Sequence, residues 1–180
     1  MQIVRLLLLA SFAGTVLWGG TLGAPAQGQG TPGAQTRPIE PQEFLRLAYS
    51  SATLQGQAAQ LAASRDTRPE VKSYAAAAAD FRLGLLRRIE AFAKERNLPL
   101  PSVKEFEHQV IIENLEPLDY LALSRRYAEI EQQALEQEIG IYEAARRSGS
   151  EEIKVFAEQV LPELQQRRAG AQKMYESVKP

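Results

Sequence analysis

Glu131 and Glu138 lie seven residues apart in a stretch of helical periodicity, a step that brings two side chains nearly onto one face of a helix. Placed on a wheel at about 100° per residue, both fall in the middle of the apolar arc. Inward carboxylates on long helices are the donors of di-iron and di-manganese centres. Such centres take a Glu from each of two helices and a Glu-x-x-His from each of two others. The chain has one spacing of that kind, Glu105-x-x-His108, and His108 is its single histidine. Two such motifs cannot be built, so the favoured reading has no metal and no cofactor. The alternative is a degenerate metal site drawn from Glu131, Glu138, Glu105 and His108.

Three more polar residues fall on apolar arcs: Gln55, Arg82 and Arg167. Together with the two glutamates they make an internally neutral set. A tight turn at "SGS" (Ser148–Ser150) folds the last two long helices onto each other and puts Glu131 and Arg167 at the same height. A buried, unpaired ion costs several kcal/mol, and a hydrogen-bonded Arg–carboxylate pair offsets much of that cost. The expectation is a buried polar layer in which Arg167 bonds Glu131, with Arg82 and Glu138 nearby. The competing reading has Arg167 snorkelling from the edge of its stripe.

Other chemistries find no support. A Ser-His-Asp or Cys-His site would have to use His108, and there are no cysteines. No P-loop or zinc-ligand cluster occurs, and the six tyrosines read as core or boundary residues. The expectation is that the chain is not an enzyme.

The elements that must position these residues are helices. Apolar residues recur at helical spacing from Pro41 onward, with no alternating β-branched runs. The first helix, about Pro41–Arg65, turns Phe44, Leu47, Ala48, Ser51, Leu54, Ala58, Leu61 and Ala62 inward, with Pro41 suited to a first helical position. The second, about Pro69–Arg96, does the same with Val71, Tyr74, Ala78, Phe81, Leu85, Ile89 and Phe92. "NLPLPS" breaks the chain before a short helix, Val103–Asn114, expected to pack across one end. A third long helix, about Pro117–Arg147, carries Tyr120, Leu123, Tyr127, Ile130, Ala134, Leu135, Ile141, Tyr142 and Ala145 inward. Gly149 is placed to end it and Ser150 to cap the next. The last, Glu151–Val178, buries Ile153, Phe156, Val160, Leu164, Ala171, Met174 and Val178, with Pro162 read as a local kink. Four amphipathic helices with short turns inside each pair predict an all-α four-helix bundle with a short extra helix between the pairs.

The amino-terminal stretch reads as a secretory signal over residues 1–26: Arg5, the 13-residue apolar run "LLLLASFAGTVLW", then "APA" (Ala24–Ala26). That run is shorter than the roughly 20 residues a spanning helix needs. Residues 27–40 read as a Gly-, Pro- and Gln-rich tether, and residues 41–180 as the bundle domain. Loss of the leader lowers Lys+Arg from 21 to 20 against 22 Asp+Glu. That near-balance argues against nucleic acid and a strong membrane-surface signal. The expected location is the periplasm or cell envelope, with an unknown protein or envelope partner. A weaker third reading is a peripheral membrane protein.

The stretches "PEVKSYAAAAADF", "AFAKERNLPLP" and "IYEAARRSGSEEIKVFAEQVLPEL" resemble the exported, ferritin-like four-helix proteins catalogued as domain of unknown function 4142. The resemblance covers about Pro41–Glu176, and its most specific pieces are Leu100–Pro101 and Leu161–Pro162. It implies histidines at the positions held here by Arg82, Leu135 and Arg167, and a glutamate at or beside Gln55. The chain departs from the pattern at each, so a metal-binding role suggested for the family is not expected to transfer.

Overall fold

In the computed structural model, residues 38–66, 68–102 and 106–179 are described. The signal and tether expectations fall on residues 1–37 and, for the tether, only its last three residues lie within the described part. Five helices account for nearly all of it: α1 (Pro41–Arg65), α2 (Pro69–Glu95), α3 (Phe106–Leu115), α4 (Tyr120–Arg146) and α5 (Glu151–Val178). No strand occurs among the described residues, so the fold class is all-α. None of these helices is long and apolar enough to cross a membrane.

Local chemistry sets most boundaries. Pro41 and Pro69 open α1 and α2, where the missing N–H would have no intrahelical partner. Asp66 closes α1 and fixes the turn into α2. Its carboxylate accepts from the Arg68 N–H at 2.8 Å and from the Ser124 hydroxyl at 2.7 and 3.0 Å, which ties the turn to α4. Asp66 is 2% exposed. Asp66→Ala is expected to cost about 1–3 kcal/mol by leaving the Ser124 hydroxyl without this acceptor, read from urea unfolding.

Contacts between the ends give the helix directions. Gln42, at the start of α1, donates to the Pro99 carbonyl at 2.6 Å, just beyond the end of α2. Arg65, at the end of α1, pairs with Asp119 at 2.5 Å, just before α4. The Ser148 hydroxyl, in the α4–α5 turn, donates to the Ile39 carbonyl at 2.9 Å, beside the start of α1. Thus α1 and α5 run one way and α2 and α4 the other. Each hairpin pair, α1 with α2 and α4 with α5, packs closely; α1 lies against α4, and α2 meets α5 least closely of these neighbours.

This arrangement corrects the expected course of the short helix. Its connection starts near the beginning of α1 and must reach the end of α1, so α3 runs alongside the body. It packs against α1 and α4 instead of crossing one end. His108 therefore meets Ser50 while Leu115 is buried among Ala62, Leu123 and Tyr127. Coverage by α2, α3 and α4 widens the buried side of α1 to include Leu45, Ala52 and Ala59, while Leu47, Ser51 and Leu61 sit at its margin.

Other corrections concern the ends of α4. The helix begins at Tyr120, not Pro117, because the carbonyls of Glu116 and Leu118 accept from the Arg65 guanidinium instead of continuing a helical path. Tyr120 has φ 50° and is 70% exposed, not inward. Ser150 occupies the cap position of α5 without a side-chain cap bond; the Ser148 hydroxyl accepts its N–H at 3.2 Å. Gly149 has no positive φ, so the turn closes without a left-handed residue. Pro162 is exposed and α5 continues through it.

Candidate functional site: a buried polar layer and the cleft beside it

The apolar interior forms two clusters with polar side chains at their border. One is aromatic-rich, around Phe44, Phe92, Tyr142 and Phe156. The other is alanine-rich, around Ala58, Ala59, Ala75 and Ala78. Along α1, Gln55 falls between Ala52 and Ala58; along α2, Arg82 falls between Ala78 and Leu85. On α4, Glu131 falls between Ile130 and Leu135, with Glu138 two turns on.

Arg82 is the centre. Its guanidinium reaches across the interior from α2 to α4 and donates to Glu138 Oε2 at 2.5 Å. Its other terminal nitrogen donates to Gln55 Oε1. Gln55 Nε2 in turn donates to Glu138 Oε2 at 3.0 Å and to Ser51 Oγ at 2.9 Å. Arg82, Gln55 and Glu138 are all 0% exposed. Gly56 makes room for this crossing, since a Cβ there would lie 3.3 Å from Arg82 Cβ. Burial by itself would make the Arg82 guanidinium easier to deprotonate. Glu138, then Glu131, outweigh that effect and hold its charge.

Glu131 behaves differently. It is fully enclosed, and burial raises its carboxyl above the usual range against the opposing pull of Arg82 and the Tyr74 hydrogen bond. Its bonded partner is the Tyr74 hydroxyl, which donates to Oε1 at 3.0 Å. The same hydroxyl lies 3.3 Å from the backbone carbonyl of Arg167. Glu131 and Arg167 therefore share a level, as the turn predicts, yet the expected Glu131–Arg167 pair is not made. Tyr74 stands between them. The Arg167 guanidinium lies half-buried over the Phe81 ring, 4.2 Å from its centroid. Arg82 approaches that ring too, at 5.2 Å.

Several buried polar atoms have no hydrogen-bond partner among the described residues: Arg82 Nε, Glu131 Oε2, Glu138 Oε1 and the hydroxyls of Tyr127 and Tyr142. Both hydroxyls are pushed well above the ordinary tyrosine range, first by burial and then by the facing carboxylate, Glu131 for Tyr127 and Glu138 for Tyr142. On α4 the order Tyr127, Glu131, Glu138, Tyr142 thus sets each carboxyl one turn from a tyrosine.

Sequence reasoning missed Tyr74. A tyrosine at the edge of an apolar arc reads as packing, and only the meeting of three helices shows that its hydroxyl serves Glu131. Tyr74→Phe is expected to cost about 1–3 kcal/mol by removing that donor from a buried carboxyl, measured as a fall in the urea midpoint.

His108 shares a hydrogen bond of 2.9 Å with Ser50 beside α1, and Glu105 lies outside the described residues. Among the described residues no three His, Cys, Asp or Glu side chains are grouped to hold an ion. A guanidinium bonded to Glu138 is also the wrong neighbour for a cation.

The family model described as Domain of unknown function (DUF4142) matches residues 24–174. The chain belongs to the DUF4142 family. No curated protein and no solved structure matches it. In this DUF4142 chain the matched residues span all of α1 to α4 and most of α5, so the polar layer lies within the family region.

Proposed function

We propose that the chain is an exported, non-catalytic binding or interaction module of the periplasm or cell envelope, built as a ferritin-like four-helix bundle. Its partner is an unidentified protein or envelope component. The observation that carries this reading is the filling of the bundle centre by the fully buried Arg82–Glu138–Gln55 cluster. Those side chains bond one another, which suits a structural layer more than a reaction centre. The opposed helix directions, with one long connection between the hairpins, support the ferritin-like organisation. Arg82, Leu135 and Arg167 hold the positions where the family resemblance implies histidines. A guanidinium, a buried leucine and a second guanidinium supply no metal donor there. The leader-like residues 1–26 support export.

A specific observation favours the second reading, a degenerate metal protein: Glu131 Oε2 and Glu138 Oε1 are both without a bonded partner. Metal analysis of protein purified without chelator or affinity-tag histidines separates the two. The proposal expects substoichiometric iron, zinc and manganese. A stoichiometric metal that disappears in Glu131→Gln would establish the second reading instead. Mass spectrometry of the chain from fractionated cells tests export: cleavage near Ala24–Ala26 and recovery outside the cytoplasm are expected, and an intact amino terminus in the cytoplasm would overturn it.

A further inference from the structure

Where α2 and α5 meet least closely, a cleft of about 280 Å³ opens, lined by Tyr74, Phe81, Glu163, Gln166, Arg167 and Gly170. Gly170 shapes its inner end, since a Cβ there would stand 3.1 Å from the Tyr74 ring. The Arg167 guanidinium lies over Phe81, and among the described residues it makes no ion pair and its N–H groups find no acceptor. The one carboxylate in the wall, Glu163, is engaged by Arg88 at 2.7 Å. Glu131, the other acidic group at this level, is bonded by the Tyr74 hydroxyl and acts on Arg167 through its charge without pairing with it.

We infer that this cleft is a site for a small anion whose carboxylate or phosphate head is held by the Arg167 fork. A guanidinium presents paired N–H donors in the plane of such a head, and stacking on an aromatic face fixes that plane without consuming the donors. Half-burial removes part of the water that would otherwise solvate the charge. An anion supplies what the protein itself does not. The volume is just under that of pockets for drug-sized ligands, so a head group with a short apolar body fits. The Tyr74 and Phe81 rings form its apolar wall.

The inference rests on the reading of the chain as a binding module and names one ligand class for it. Benzoate, inorganic phosphate and chloride are titrated separately into the whole chain at constant ionic strength, followed by NMR. Benzoate, phosphate or both are expected to give saturating shifts at Arg167 Nε–H and the Gly170 amide, with chloride giving only a linear drift. Saturation by one and not the other identifies the head group. Arg167→Gln is expected to weaken binding by about tenfold or more. Lack of saturation, equal saturation by chloride, or equal affinity in Arg167→Gln would overturn the site. The wild-type titration decides even if the variant fails to fold, because an isotherm reported only by resonances away from Arg167 also excludes it. A silent cleft in metal-free protein would remove this site and leave the binding-module reading to be decided by partner crosslinking.

Discussion

Arg82→Met is expected to lower the unfolding free energy by about 3–5 kcal/mol, the largest loss of any single exchange in the polar layer. The substitution keeps a long, flexible side chain, so packing against Gly56 and Leu85 changes little. It leaves Glu138 fully buried with Gln55 as its only bonded partner, and Gln55 Oε1 with none. Most of the penalty is the uncompensated carboxylate, not the value of the lost pair. The companion measurement is therefore Arg82→Met combined with Glu138→Leu, which is expected to recover the greater part of the loss. Guanidinium unfolding of the single and double variants checks both statements. A single variant within about 0.5 kcal/mol of the native chain would mean that the layer contributes no structural constraint.

Glu131→Gln is expected to gain stability relative to the native chain as pH rises from 5 to 8. The sign follows from the direction of its shift. The folded carboxyl sits above its ordinary value of 4.5, with burial the largest cause. Such a group contributes fully below the unfolded value and loses that contribution as pH climbs through the folded value. Glutamine cannot titrate, yet its amide oxygen still accepts the Tyr74 proton. Around it stand Tyr74, Arg82, Glu138, Arg167 and Tyr127, all retained in the variant, so their own titrations largely cancel in the difference. Urea midpoints of both proteins at pH 5 and pH 8 read the effect. Parallel curves would show that Glu131 is charged throughout and compensated, most simply by Arg167.

The two variants also show what a one-dimensional reading can reach. Gln55, Arg82, Glu131 and Glu138 stand out on a helical wheel because a polar residue in an apolar stripe is visible within its own helix, and all four are buried. The start residues of α1, α2 and α5 were legible for a similar reason: Pro41, Pro69 and the acidic pair Glu151–Glu152 act within one turn. Partner choice was not legible. Arg167 and Glu131 share a level, but the side chain between them comes from α2, and neither of their own helices encodes it. Tyr120 reads as inward by spacing alone. The pull of Arg65 on the carbonyls before it, from another helix, moves the start of α4 and turns that ring outward. The course of α3 followed from where its two neighbours end, a property of the whole chain.

The division of the interior into an aromatic half and an alanine half makes the helices poor at sliding past one another. One turn of an α-helix is about 5.4 Å. A slip of that size along α2 would carry Arg82 into the alanine-lined side or among Leu85, Ile89 and Phe92, and would strand Glu138 and Gln55. A purely apolar interior would tolerate several such offsets at similar energy, because leucine and alanine contacts are largely interchangeable. The single charged crossing removes that degeneracy. Whatever it contributes to depth of the energy minimum, its sharper effect is on the number of minima: one alignment of the three long helices α1, α2 and α4 satisfies it, and the neighbouring ones do not.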